Sequence, residues 1–369
     1  MGKIVLFGAT GYTGRLVAGA LVAGGAAPLL AGRDRDRLDS LSARLGGLET
    51  AIADAAGPES LRSLLDRGDV LVSTVGPFAL RGEAALGAAV QAGAVYLDST
   101  GEPSFIRRVF EVEGPRAADR AALVPAFGYD FVPGNLAGAL ALRMAGDGAA
   151  RVDIGYLLTG RLGVGSASSG TVASTGGLML EPSFAWRGGR IVAERSAGSV
   201  RSLPVRGRRS AAVSIGGTEH FALPRVAPTL QEVNVCLGGF GQLAYASPAI
   251  SALVSLGARL PGANRLVAAT TSRLARRSGR GPDESARSRS GSDVVAIAYD
   301  ASGGELATVL LEGPNSYTFT GSILAWGARC AAEGGVEGTG ALGPVDAFGL
   351  EALEAGVAAA GFRRVDPPL

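Results

Sequence analysis

Gly8-Ala9-Thr10-Gly11-Tyr12-Thr13-Gly14 places three glycines at three-residue spacing. Glycine lets the backbone turn tightly and come close to a phosphate, and a helix that follows presents N–H donors and the positive end of its dipole. The flanks supply that context. Lys3 to Phe7 is an apolar run of β-branched and aromatic type, and Arg15 to Val22 has helical composition. Strand, glycine turn and helix form the order of a dinucleotide-binding βα unit. Gly8, Thr10, Gly11, Tyr12, Thr13 and Gly14 are therefore the expected pyrophosphate contacts. A second apolar run, Pro28 to Ala31, ends in Gly32 and Arg33. An acid at that tip would hold a ribose 2′-hydroxyl, whereas an arginine accommodates a 2′-phosphate. Arg33 points to NADP(H) over NAD(H). Asp34 falls one residue late and reads as the N-cap of the next helix. Arg35 and Arg37 read as a solvated helix face.

Further reactive side chains end the later strands. Asp54 follows the third. Ser73, Val75, Gly76, Pro77 and Phe78 follow the fourth and are expected against the cofactor's ribose and nicotinamide. The fifth ends in Asp98-Ser99-Thr100-Gly101-Glu102. Thr100 and Gly101 are expected near the cofactor there. Asp98 and Glu102 either orient substrate or hold a loop through backbone N–H groups. The sixth leads into Tyr129 and Asp130, expected at the domain junction. Hydride transfer needs an acceptor carbon and often a proton donor for its neighbour. Tyr129, Asp130, Tyr156 and His220 are the candidates. His220 is the sole histidine, and one histidine on a predicted strand is more often structural. No Ser/His/Asp set, paired-carboxylate site or metal cluster can be argued.

The elements that must position these residues alternate up to about residue 127. Strands are expected at 3–7, 28–31, 48–52, 69–75, 94–98 and 121–126, with helices at 12–24, 34–45, 57–66, 82–92 and 103–119. That pattern predicts an α/β fold, a Rossmann-type doubly wound parallel sheet. A helix over 135–144 leads out of it. Strands then follow at 151–158, 190–195, 199–205, 211–216, 219–225 and 230–237, with a helix over 170–182. They predict a second, α+β domain on a largely antiparallel sheet. Residues 244–282 read as helical, apolar and arginine-bearing, and 277–292 has loop composition. That stretch is either a lid over an oily substrate, a membrane-surface segment, or a plain surface helix pair with a loop. Strands at 293–299 and 304–311 and helices at 316–332 and 346–360, the last closed by Gly361, complete the chain. The expected domains are 1–133 for NADP, 134–315 for substrate and dimerisation, and 316–369 as helices packing back on the first.

Composition limits the classes. With 369 residues, 47% of them hydrophobic and 18% charged, two cored domains are affordable and disorder is excluded. A net charge of +2 gives no reason to expect nucleic acid. Cys236 and Cys330 offer no disulfide framework or zinc spacing. No apolar run is long enough for a transmembrane helix. A cleaved leader would remove the glycine turn, so a cytoplasmic location is expected. A homodimer is the default expectation.

GATGYTG at 8–14, AGRDRDRL at 31–38, VGPF at 75–78, YLDSTGE at 96–102 and GYDFVPGNLAG at 128–138 occur in this order. In this they resemble the saccharopine dehydrogenase-like oxidoreductases, most of all the branch that includes the bacterial trans-acting enoyl reductases. GRGPDESARSRSG at 279–291 resembles a loop of that branch. The match covers roughly the first 138 residues and that loop. The resemblance implies NADPH, a Rossmann domain, and an α+β domain inserted before the C-terminal helices. Where the branch has Cys-Gly-Phe-Asp, this chain has Phe127-Gly128-Tyr129-Asp130, which excludes a cysteine role at 127. The implied activity is NADPH-dependent reduction of an enoyl C=C bond in an apolar or biosynthetic intermediate, carrier-bound or lipid-like. Reduction of a C=N bond is the alternative from the wider family. A non-catalytic NADP-binding or lipid-associated scaffold is the rival from another class.

Overall fold

The computed structural model describes residues 2–160, 182–239, 241–257 and 281–365. The chain divides into two compact units. One comprises Met1–Gly101, Phe105–Val132 and Ser316–Gly361, and the other Glu102–Ser104, Pro133–Asn315 and Phe362–Leu369.

The first unit alternates β1 (Ile4–Phe7), α1 (Tyr12–Ala23), β2 (Leu29–Gly32), α2 (Arg35–Arg44), β3 (Thr50–Ile52), α3 (Glu59–Arg62), β4 (Val70–Ser73), α4 (Phe78–Ala92) and β5 (Val95–Asp98). After α5 (Pro103–Arg108), α6 (Gly114–Ala117) and β6 (Ala122–Val124), the chain leaves through α7 (Val132–Ala145). Every residue of β1 and β4 is buried, as strands covered on both faces require. The parallel sheet runs β6-β5-β4-β1-β2-β3, the doubly wound order expected from the alternation. Phe7 lies opposite Ala31 and Ser73, Ser73 opposite Asp98, and Leu97 opposite Val124. The carboxyl ends of these strands therefore share one rim. The strand order reverses beside β1, where such sheets open to ligands.

Two helices depart from expectation here. The helix expected over 103–119 is broken by a wide π-helical turn at Val109–Glu113. Gly114 and Pro115 follow, and a proline ring cannot share an unbroken α-ladder with the carbonyl four residues back. The helix expected over 82–92 begins at Phe78, with Pro77 as its cap.

The second unit holds β7 (Arg151–Gly160), β8 (Pro182–Arg187), β9 (Arg190–Arg195), β10 (Val200–Val205), β11 (Arg208–Ser214), α8 (Glu219–Val226) and β12 (Glu232–Gly238). It continues with α9 (Ser247–Gly257), α10 (Glu284–Ser288), β13 (Ser290–Tyr299) and β14 (Glu305–Pro314). The sheet runs β10-β11-β12-β7-β13-β14-β16, with β16 at Arg363–Val365 and the β8–β9 hairpin attached to β12. Among the described strands of this sheet only the β7–β12 pair is parallel, so it is largely antiparallel as expected. Leu157, Leu203, Val205, Ala212, Cys236, Val295, Ile297 and Leu310 pack into one buried cluster on it.

Strand β8 was not foreseen; its signal is Gly188-Gly189 before β9, both with positive φ, the two-residue loop of a tight hairpin. The strand expected at 219–225 is α8. Glu219, Ala222 and Leu223 are buried at the i, i+3, i+4 spacing of a helix face, and a side chain on Gly138 of α7 would stand 2.6 Å from Leu223. The helix expected at 170–182 falls almost wholly outside the described residues, as does 258–280.

The chain then returns to the first unit as α11 (Ser316–Ala332), which packs on α1 so closely that a Cβ on Gly321 would stand 2.9 Å from that of Leu16. The two-residue β15 (Gly340–Ala341) extends the parallel sheet beside β6. The helix expected over 346–360 is two, α12 (Pro344–Phe348) and α13 (Leu350–Ala359), divided by Gly349 at φ 74°. Among the described residues no helix is long and apolar enough to cross a membrane. No group of His, Cys, Asp and Glu there is arranged to hold a metal.

Candidate functional site

The glycine turn is shaped by what it excludes. Gly8 sits at φ 86°, and a Cβ there would lie 2.7 Å from both Thr74 Oγ1 and Val75 Cγ2. A Cβ on Gly14 would lie 2.2 Å from the Gly8 carbonyl oxygen, and one on Gly11 3.1 Å from it. The Gly11 amide donates to the Gly8 carbonyl at 2.9 Å. The Thr74 hydroxyl, from the loop after β4, reaches the carbonyls of Phe7 and Gly8 at 3.1 and 3.2 Å. Gly11 caps α1, and no side chain closes its first turn. The helix therefore starts with the backbone donors that an anion needs. Tyr12 is held edge-on against Tyr317 of α11, ring centroids 5.0 Å apart. These residues fit a pyrophosphate: side-chain-free backbone at the switch point, ahead of a helix whose first turn is uncapped.

Arg33 follows directly on β2, exposed, and makes no ion pair with the described residues. Asp34 caps α2, accepting from the Arg37 amide at 3.1 Å, and lies 3.8 Å from the Arg37 side chain. Arg37 is thus engaged and Arg33 is available to a 2′-phosphate. Thr10 Oγ1 lies 4.0 Å from where a Gly32 side chain would begin, which brings the glycine turn and the β2 tip together. Asp54 is spent locally, its Oδ1 accepting from the Ala56 amide at 3.1 Å.

At the rim after β4, Ser73 is buried and Thr74 to Pro77 are half-buried. Phe78 turns inward against Phe105, ring centroids 5.6 Å apart. After β5, one oxygen of the fully buried Asp98 accepts from the amides of Thr100 and Ala126, each at 2.8 Å. Asp98 is a loop-holding residue, the second of its two expected roles. Its neighbour Tyr96 is buried, and burial, with the charge of Asp98 added, holds the Tyr96 hydroxyl well above the usual phenol range. After β6, the Tyr129 amide donates to Thr320 Oγ1 at 3.0 Å. Asp130 is half-buried, and burial pushes its carboxyl up to about 6. Such a group keeps its proton in mildly acidic solution, where an ordinary aspartate has lost it. A Cβ on Gly101 would stand 3.0 Å from Asp130 Oδ2. The structure thus brings together Asp98, Thr100, Gly101 and Asp130. Sequence reasoning missed Thr74 and Thr320, small hydroxyl residues without a motif.

The other two donor candidates belong to the second unit. The Tyr156 hydroxyl donates to Glu219 Oε1 at 2.6 Å and accepts from the Gly134 amide at 2.9 Å. His220, on α8 rather than on a strand, is buried against Phe184, with Nδ1 3.0 Å from the Gly217 carbonyl. Burial lowers its pKa to about 4. These two side chains are engaged in the interior of that unit.

A glycine cradle at the switch point of a doubly wound sheet, with an arginine at the β2 tip, defines an NADP-binding unit similar to that of the saccharopine dehydrogenase-like oxidoreductases. Residues 4–122 match the family model of the saccharopine dehydrogenase NADP binding domain. The chain is 37% identical over 141 residues to a trans-acting enoyl reductase of Mycobacterium ulcerans, and 36% identical over 140 residues to one of Mycobacterium tuberculosis. Each match covers 36% of this chain and 34% of the relative. A further M. tuberculosis protein, provisionally named for the same activity, is 42% identical over 142 residues. The chain thus spans about a third of the length of the curated relatives it matches. Among solved structures, apo saccharopine dehydrogenase (L-Glu forming) from Saccharomyces cerevisiae shares the fold. The TM-score is 0.63 and the identity 11%, over 99% of this chain and all of that one.

Proposed function

We propose that this protein is an NADPH-dependent reductase of the C=C bond of an apolar enoyl substrate. The observation that carries the reading is identity of 36–42% over about 140 residues with proteins named as trans-acting enoyl reductases. NADPH, when bound, supplies the hydride. In this reading Gly8, Thr10, Gly11, Tyr12, Thr13 and Gly14 receive the pyrophosphate, Arg33 the 2′-phosphate, and the rim from Ser73 to Pro77 the ribose and nicotinamide. Reduction of an enoyl group places hydride on the β carbon and leaves the α carbon to be protonated. Asp130 is the proposed proton donor, because burial raises its carboxyl to about 6, where it keeps its proton in mildly acidic solution and lies closer to neutral pH than an ordinary aspartate. Tyr129 is the second candidate, and His220 and Tyr156 are assigned structural roles. Residues 134–315 are proposed to receive the acyl chain, delivered on a carrier, and the working assembly is proposed to be a homodimer. Reduction of a C=N bond is the second reading, favoured by the family of the matched domain.

The test is reduction with NADPH deuterated at the transferable position, using enoyl and imine substrates in parallel. Deuterium on the β carbon of the saturated acyl product is expected. Deuterium on a carbon bonded to nitrogen would establish the second reading instead. NADPH bound but never consumed would overturn both in favour of a scaffold.

A further inference from the structure

The loops after β5 and β6 are tied by an arrangement that the proposed reaction does not itself require. Asp98 Oδ1 accepts from Thr100 N on one loop and from Ala126 N on the other, each at 2.8 Å. The Asp98 carbonyl accepts from the Phe127 amide at 2.7 Å. Ala126 is held at φ 55°, and its carbonyl accepts from the Phe131 amide at 2.7 Å, which closes a short loop around Asp130. Thr320 Oγ1 pins the middle of that loop at Tyr129 and itself donates to the Ser316 carbonyl at 2.8 Å. The far side is Gly101, whose missing side chain leaves 3.0 Å to Asp130 Oδ2. A carboxylate oxygen that accepts two amides makes strong, directional bonds, and a fully buried one has no water to replace them.

We propose that Asp98 is a positioning residue: by joining the two loops through one oxygen, it fixes the Asp130 carboxyl against Gly101. The proposal rests on the reading of Asp130 as proton donor. Burial is what raises the proton affinity of Asp130. Loosening the loop therefore admits water to the carboxyl and moves it toward the ordinary carboxylate range.

Three proteins separate the possibilities: wild type, Asp98→Asn and Asp98→Ala. Asparagine keeps an oxygen that can accept both amides, and alanine keeps none. The Asp130 carboxyl is followed by carbon-13 NMR titration, assigned through Asp130→Asn, and NADPH affinity and kcat are measured alongside. Asp98→Asn is expected to titrate and turn over within about twofold of wild type. Asp98→Ala is expected to titrate at least one pH unit lower and to lose tenfold or more in kcat, with NADPH affinity unchanged. Asp98→Ser, with a shorter acceptor, gives the same direction where the alanine variant fails to fold. Wild-type titration and turnover in Asp98→Ala overturn the proposal. So does an Asp98→Asn protein that behaves like the alanine variant, since charge rather than acceptor geometry would then be at work. Wild-type protein without turnover on any enoyl substrate removes the donor reading and leaves the titration to judge the positioning.

Discussion

The hydroxyl of Tyr156 stands 2.6 Å from Oε1 of Glu219, with both side chains fully buried. The same hydroxyl takes the Gly134 amide, and a Cβ on Gly134 would lie 2.1 Å from it. Alongside, Asn135 Nδ2 donates to Thr218 Oγ1 at 2.8 Å. The first turn of α7 is thereby moored to β7 and α8. Tyr156→Phe removes an acceptor from one buried group and a donor from another, which costs about 1–3 kcal/mol. Urea denaturation should report that loss with NADPH affinity unaltered; equal stability would mean the hydroxyl does not support the turn.

Arg33 separates the two cofactors. Arg33→Ala should weaken NADPH about 10- to 100-fold, the scale of a lost charge-assisted bond, and leave NADH nearly unchanged. Titration by nicotinamide fluorescence measures both. Parallel losses would remove the 2′-phosphate from this arginine.

The glycine turn predicts a graded series. Gly14→Ala drives a methyl to 2.2 Å from a backbone carbonyl, so it should cost about 1–3 kcal/mol of stability together with cofactor binding. Gly11→Ala meets only one atom, at 3.1 Å, and should fold normally. Gly11→Val should fold and bind neither cofactor. Retained binding in Gly11→Val would displace the pyrophosphate from this turn.

Two groups shifted by burial set opposite pH trends. His220 is held neutral down to about 4 in the folded protein, whereas the unfolded chain takes up that proton below about 6.5. Stability from this site is full above pH 6.5 and is lost as pH falls toward 4, on the order of 2–3 kcal/mol. His220→Gln should flatten that loss in urea titrations at pH 7.5 and 4.5. Asp130, raised to about 6, destabilises the fold as pH rises through about 4 to 6. Asp130→Asn should therefore gain stability relative to wild type across that window, and the gain should level off above it. Enoyl reduction that draws its proton from Asp130 should decline above pH 6.

The first unit was legible because its signals are local. Each strand is a short apolar run, and Gly8, Gly11 and Gly14 punctuate the first crossover. Arg33 and Asp34 could be told apart by one residue of spacing, and Asp34 is the cap. The second unit was less legible. Glu219 to Arg225 is too short, and carries Pro224 besides, to reveal a helical period, and its buried face appears only once Leu223 meets Gly138. Thr320 lies 191 residues from the Tyr129 amide it holds, so no window of sequence could pair them. Gly101 reads alone as a cofactor contact and Asp130 as a candidate donor, and the shared acceptor Asp98 that joins their loops follows from strand order.

The nucleotide unit is built from distant parts of the chain. Its sheet is extended by β15 beside β6, α11 lies on α1, and the Gly2 amide donates to the carbonyl of Ala332 at 2.8 Å. A ribosome must therefore add 330 residues after Gly2 before that residue meets its partner. The glycine turn is made about 300 residues before the helix that supports it. The nascent chain thus carries an unfinished cofactor half while the whole intervening unit is made, and cofactor capture becomes a late event in its biogenesis.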